Sequence, residues 1–239
     1  MIESLPEDTE EINVSDRGLT SLDVTRFKKL KRLYCSNNKL TSLQLNKNLQ
    51  KLYCSNNKLT SLHLNENLRS VLCDYNQLTS LHLNKCLQVL FCDHNQLTSL
   101  HLNENLQGLF CYHNQLTSLH LNTKLKKLNC SHNQLTSLYL NAELKMLYCN
   151  DNQLTFVYLN EKLEKMDYSN NPIYEMGYKK LRVLNKFRYL YYCLKYKKQF
   201  RDWLWIKIRE PKIRERYSHD YLVANLREDT DLDEFLEKW

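Results

Sequence analysis

The sequence predicts an α/β repeat protein. Its coils are expected to stack into one curved parallel β-sheet, with little helix on the convex side and an α-helical cap after the last coil. Three observations carry this. Leucine recurs every nineteen residues, at Leu30, Leu49, Leu68, Leu87, Leu106, Leu125, Leu144 and Leu163. The 239 residues hold only three glycines and three prolines, against roughly 17 and 12 at average usage, and the excess goes to leucine and asparagine. The period stops after Pro172, where apolar residues take up a helical spacing.

Residues 49–67 read LQKLYCSNNKLTSLHLNEN, and the template common to the coils is LxxLxCxxNxLTxLxLNxx. A degenerate first copy places Ile12, Val14, Leu19, Leu22 and Val24 in register, with Arg17 at the asparagine position and a two-residue insertion after it. A degenerate last copy has Met166, Tyr168, Asn171 and Ile173. End repeats are expected to be atypical because one of their sides faces no neighbour. The organisation is therefore an acidic lead-in (1–11), the solenoid (12–174) and a C-terminal cap (175–239). Side chains alternate along a strand, so Leu33 and Cys35 point inward while Arg32, Tyr34 and Ser36 point out. Nineteen residues leave little length for a helix on the return path, and LTSLHL is expected to be extended chain or a second short strand.

The LxxLxCxxNxL pattern, repeated over roughly two thirds of the chain, resembles the leucine-rich-repeat family. The resemblance implies a non-catalytic scaffold that binds a protein partner through the concave face of its sheet. The outward strand positions that would line this face include Arg32, Tyr34, Lys51, Tyr53, Leu72, Phe91, Phe110, Tyr112 and Tyr148, which are the candidate partner-binding residues. Aromatics and arginine are the residue types that carry protein interfaces. No phosphate loop, nucleophile elbow or HExxH is present, so no catalytic residue and no cofactor is expected.

Regular rows of polar residues need separate readings. Cys35, Cys54, Cys73, Cys92, Cys111, Cys130 and Cys149 lack zinc-site spacing, and their parallel Cβ vectors suit a disulfide poorly. They are expected to be small buried apolar residues in a reducing compartment. Asn38, Asn57, Asn76, Asn95, Asn114, Asn133, Asn152 and Asn171 stand where the strand must turn, and an inward amide can pair the backbone there and bridge coils. Thr41, Thr60, Thr79, Thr98, Thr117, Thr136 and Thr155 are expected to form a comparable hydroxyl row. Histidines fall in two rows, His63/His82/His101/His120 and His94/His113/His132. Glutamine, tyrosine or aspartate fills the same slots elsewhere, so they read as surface positions and not as metal ligands. Crowded histidines should resist protonation, so stability should fall below about pH 6.5.

Charge is uneven, at about −6 over 1–16, +7 over 17–176, +11 over 177–217 and −5 over 218–239, within a net +7. From Tyr178 to Phe200, Leu181, Leu184, Phe187, Tyr191 and Leu194 lie at helical spacing, and Ser218 and Thr230 suit the starts of two short helices. The basic, tyrosine-rich block is read as part of the cap. The alternative is nucleic-acid binding, for which Lys195, Lys197, Lys198 and Arg201 are the candidates. The stretch from Trp203 to about Leu226 resembles a C-terminal element of proteins of giant amoebal DNA viruses, the mimivirus group, and implies a viral protein in host cytoplasm. The acidic start does not resemble a signal peptide and no run is long and apolar enough for a membrane span. A cytoplasmic, unsecreted monomer is the expectation.

Overall fold

A computed structural model describes residues 2–177. The C-terminal segment beyond them, with Lys195, Lys197, Lys198 and Arg201, lies outside the described residues. Thirteen three-residue strands are present: β1 (Glu11–Asn13), β2 (Ser21–Asp23), β3 (Arg32–Tyr34), β4 (Ser42–Gln44), β5 (Lys51–Tyr53), β6 (Ser70–Leu72), β7 (Val89–Phe91), β8 (Gly108–Phe110), β9 (Lys127–Asn129), β10 (Ser137–Tyr139), β11 (Met146–Tyr148), β12 (Phe156–Tyr158) and β13 (Lys165–Asp167). Nine of them form one parallel sheet in the order β1-β3-β5-β6-β7-β8-β9-β11-β13. The only helix among the described residues is a 3₁₀ turn at Pro172–Met176.

The return path is extended, as its length requires. It pairs as strands only at the two ends, β2 with β4 and β10 with β12. In the middle coils single bonds hold it, such as Gln77 N–H to Leu59 O at 2.9 Å and Gln96 N–H to Leu78 O at 2.9 Å. The core is one continuous column. Leu49, Leu52, Cys54 and Leu59 are each fully buried, and their counterparts repeat this as far as the coil of Leu144, whereas Leu163 and Met166 of the last coil are half-buried. The seven ladder cysteines are unbonded thiols at 0% exposure. Burial pushes the Cys35 thiol up to about 12, so these sulfurs pack as small apolar groups.

The asparagine ladder is more specific than a turn-former. Asn114 donates from Nδ2 to Cys92 O at 3.0 Å, Cys111 O at 3.1 Å and Tyr112 O at 3.3 Å. Its Oδ1 accepts the Leu97 N–H at 3.0 Å. One side chain thus closes its own strand and satisfies two backbone groups of the preceding coil. The direction explains both ends of the repeat. The first coil needs no asparagine at Arg17, because Asn38 of the next coil accepts from Arg17 and Leu19 N–H and donates to Val14 O. The last coil keeps Asn171, which serves Leu154 N–H and Cys149 O.

The threonine row behaves differently from expectation. These residues are exposed, and only the Thr41 and Thr155 hydroxyls bridge, weakly, to Thr20 O at 3.3 Å and Thr136 O at 3.4 Å. The second polar ladder is instead the asparagine of the LN pair. Asn65 reaches Asn46 O at 2.7 Å, and Asn84, Asn103, Asn122, Asn141 and Asn160 repeat the contact.

Asn114→Leu strands the Leu97 N–H in the core and leaves the Cys92 carbonyl with only its bond from Asn95, and is expected to lower stability by roughly 2–4 kcal/mol. Asn103→Leu, at a half-buried site with fewer backbone bonds, is expected to cost roughly 1–2 kcal/mol. Chemical denaturation of both variants checks the magnitudes and their order.

Candidate functional site

Register in the sheet places one residue per coil in each of three outward rows. The central row runs Tyr34, Tyr53, Leu72, Phe91, Phe110, Asn129, Tyr148 and Asp167 across consecutive strands. Tyr34 and Tyr53 stack with centroids 4.6 Å apart, and Phe91 and Phe110 with centroids 4.2 Å apart and planes within 3°. Leu72 joins the two pairs, so five of the nine candidate residues make one apolar strip, each half-buried. Tyr148 is separated from this strip by Asn129.

The remaining candidates divide. Lys51 is exposed beside Tyr53. Arg32 is held within the molecule: its Nε lies 2.5 Å from Glu11 Oε2, which raises its pKa. Lys31 pairs with Glu10 at 2.9 Å and Lys29 with Asp8 at 3.8 Å. The acidic lead-in therefore neutralises the cations of the first full coil. These pairs are exposed and contribute little stability.

The third row holds Ser36, Ser55, Asp74, Asp93, Tyr112, Ser131, Asn150 and Ser169. Asp93 is only 5% exposed and accepts the Tyr112 N–H at 2.9 Å. Burial, with Asp74 as a smaller cause, pushes its carboxyl up to about 7. In the repeat pattern Asp93 occupies a slot that serine fills in four other coils. Its burial is a property of the packed neighbours and could not be read from the period.

The next residue of every coil turns the chain in the left-handed region: Asn37, Asn56, Tyr75, His94, His113, His132, Asp151 and Asn170 all have φ between 50° and 57°. Asparagine, aspartate and histidine tolerate this conformation, and tyrosine is strained in it. Here the rings stack. Tyr75–His94, His94–His113 and His113–His132 have centroids 4.2, 4.3 and 4.1 Å apart, and Tyr112 meets His94 and His113 edge-on. His132 Nε2 lies 3.4 Å from Asp151 Oδ2, which ends the column. Burial, then the charges of His132 and His94, lower the pKa of His113. The other histidine row, at the return path, is exposed. Among the described residues no group of three or more His, Cys, Asp or Glu side chains could hold a metal ion, and no helix is long and apolar enough to cross a membrane.

Asp93 and His113 act on stability with opposite sign. A carboxyl raised in the folded state is destabilising once ionised, so Asp93→Ser is expected to gain roughly 2–4 kcal/mol over wild type above pH 7, and the gain should shrink towards pH 4. A histidine lowered in the folded state favours folding above its unfolded pKa of about 6.5, and this contribution is lost as pH falls below that value. His113→Asn should therefore flatten the acid side of the profile. Melting temperature against pH for wild type and each variant separates the two.

A family model described as leucine-rich repeats in two copies matches residues 28–66. YopM from Yersinia enterocolitica is 28% identical with a TM-score of 0.68, over 70% of this chain and 39% of that one. The functional domain of InlJ from Listeria monocytogenes, described as including a cysteine ladder, is 29% identical with a TM-score of 0.57, over 69% of this chain and 44% of that one. The LRIM1/APL1C complex contains a chain 25% identical with a TM-score of 0.60, over 67% of this chain and 34% of that one. The chain thus spans about two fifths of the YopM and InlJ structures it matches. Comparison with curated proteins gives no match. The chain is thus similar to leucine-rich repeats in sequence over residues 28–66 and in fold over about two thirds of its length.

Proposed function

We propose that this leucine-rich-repeat solenoid, residues 12–174, is a non-catalytic scaffold that binds a protein partner through the concave face of its sheet. The observation that carries the reading is the apolar strip from Tyr34 through Tyr53, Leu72 and Phe91 to Phe110. Outward strand positions tolerate polar residues, as Asn129 and Asp167 demonstrate in the same row. Five consecutive apolar or aromatic side chains are therefore not required to form the sheet. Cross-strand stacking alone contributes only about 0.2–1 kcal/mol per pair, whereas a contiguous surface of this kind is the usual mark of an interaction site. The LRIM1/APL1C structure, a complex that contains a similar fold, supports a protein-binding role in general. The resemblance of the segment around 203–226 supports a viral protein working in host cytoplasm, and the absence of a partner-dependent metal or cofactor is part of the proposal.

Affinity capture from a nuclease-treated lysate of infected amoebae is expected to recover a protein with the wild type and to lose it with Tyr53→Ala/Phe91→Ala/Phe110→Ala, provided the variant retains a cooperative melt. Capture that survives the triple substitution would move the working surface elsewhere. Capture that disappears on nuclease treatment of the wild type would favour nucleic-acid binding by Lys195, Lys197, Lys198 and Arg201.

A further inference from the structure

Two carboxylates border the apolar strip at its centre, at a position where the fold does not require a charge. At their position Ser36, Ser55, Ser131 and Ser169 serve equally well in other coils. Asp74 and Asp93 occupy adjacent coils, one step beyond Leu72 and Phe91. Asp93 is nearly sealed from water, and its cross-coil hydrogen bond comes from a backbone N–H. Among the described residues every cation in an ion pair is elsewhere, and none faces either aspartate. A carboxylate held away from water without a cation is costly. Keeping Asp93 in that state beside the half-buried Asp74, where other coils hold serine, is the pattern of a site that gives up stability for binding.

The surroundings specify the ligand. The parallel Phe91 and Phe110 rings form a flat apolar shelf beside the carboxylates. Along the other margin of the shelf the side chains are small: Gly108 presents no Cβ, and one added there would meet Phe110 and Val89 only at 3.8 Å. Beyond the shelf the same margin carries Lys51 on one side and Lys127 on the other, both exposed. These lysines disfavour a uniformly basic ligand, so the complementary segment carries an isolated cation. Long basic side chains match this surface, because an aliphatic stem or planar guanidinium lies on apolar or aromatic surface while the charged end reaches carboxylate.

We propose that the centre of the sheet face binds an extended segment of a protein partner that sets one arginine or lysine on the Phe91–Phe110 shelf, with its charged end at Asp74 and Asp93. This rests on the scaffold reading above and names what that face selects.

The test is selection of a random dodecapeptide phage library on the full chain, on Asp74→Ser/Asp93→Ser, on Asp74→Asn/Asp93→Asn and on Phe91→Ala/Phe110→Ala. Peptides recovered by the wild type are expected to share one arginine or lysine next to an apolar residue. They should be recovered about tenfold less by both aspartate variants, although the serine variant melts at or above wild type. A synthetic peptide of the selected sequence should bind about tenfold more weakly when its arginine is replaced by citrulline, which keeps the shape and removes the charge. Equal recovery on the aspartate variants, with loss on Phe91→Ala/Phe110→Ala, overturns this proposal and leaves the face as a binding surface. Recovery that survives Phe91→Ala/Phe110→Ala overturns both readings. Selection of acidic or uncharged peptides, recovery of none, or melting of both aspartate variants well below wild type overturns the cation site.

Discussion

Each ladder asparagine stands in one coil and completes the backbone of the coil before it. Asn95 accepts the Leu78 N–H at 2.9 Å and gives its amide to the carbonyls of Cys73 and Cys92, both at 3.1 Å. Three-residue strands leave most of a coil's peptide groups outside regular sheet, and at the inward bend no water is available to pair them. The amide is the one uncharged side chain with two donors and an acceptor, and its length reaches both coils at once. Leucine and cysteine fill the column, but fillers do not set register. The asparagine does, because its partners lie 17 and 22 residues back in each nineteen-residue coil, and 19 and 24 back across the longer first coil. Everything on the outward face inherits its alignment from that bond.

The turn after each strand shows how a backbone demand is turned into surface chemistry. All coils enter the left-handed region at the same residue. At the ends of the stack this slot holds asparagine or aspartate, and Asn56 simply bonds to Asn37 at 2.9 Å. In the middle it holds Tyr75 and three histidines, whose rings stack at the coil spacing. The stacked section coincides with the coils that carry Leu72, Phe91, Phe110 and the two aspartates. The middle of the solenoid is thus chemically distinct from its flanks on two neighbouring rows, while the buried rows are nearly identical throughout.

That division decides what was legible in the sequence. Periodicity reports positions whose chemistry is the same in every coil, so the leucine, cysteine and asparagine rows, the parallel sheet and the unhelical return path could all be read from it. The threonine row was misread because recurrence alone does not distinguish a buried from an exposed slot. The LN asparagine was present in the template, yet its role depended on where the return path passes the previous coil. Site features are departures from the period, and sequence ranks departures poorly. Arg32 looked available until Glu11 of the first coil was seen beside it. Asp93 looked like one more polar residue until its neighbours closed over it.

The one-way bonding of the asparagine ladder also bears on how such a chain can change length. Because each ladder asparagine bonds only within its own coil and to the one before it, a whole nineteen-residue unit can be duplicated or removed inside the stack without orphaning any backbone group. The junction recreated is chemically the same as the one broken. Other lengths are accepted only where the extra residues loop out between the partners, as in the longer first coil, across which Asn38 still reaches Leu19 and Val14. Coil number is therefore a nearly free variable for this architecture, and a copied coil arrives with its outward residues unconstrained and open to divergence. The contrast between uniform buried rows and a singular central face is what repeated copying followed by local specialisation would leave behind.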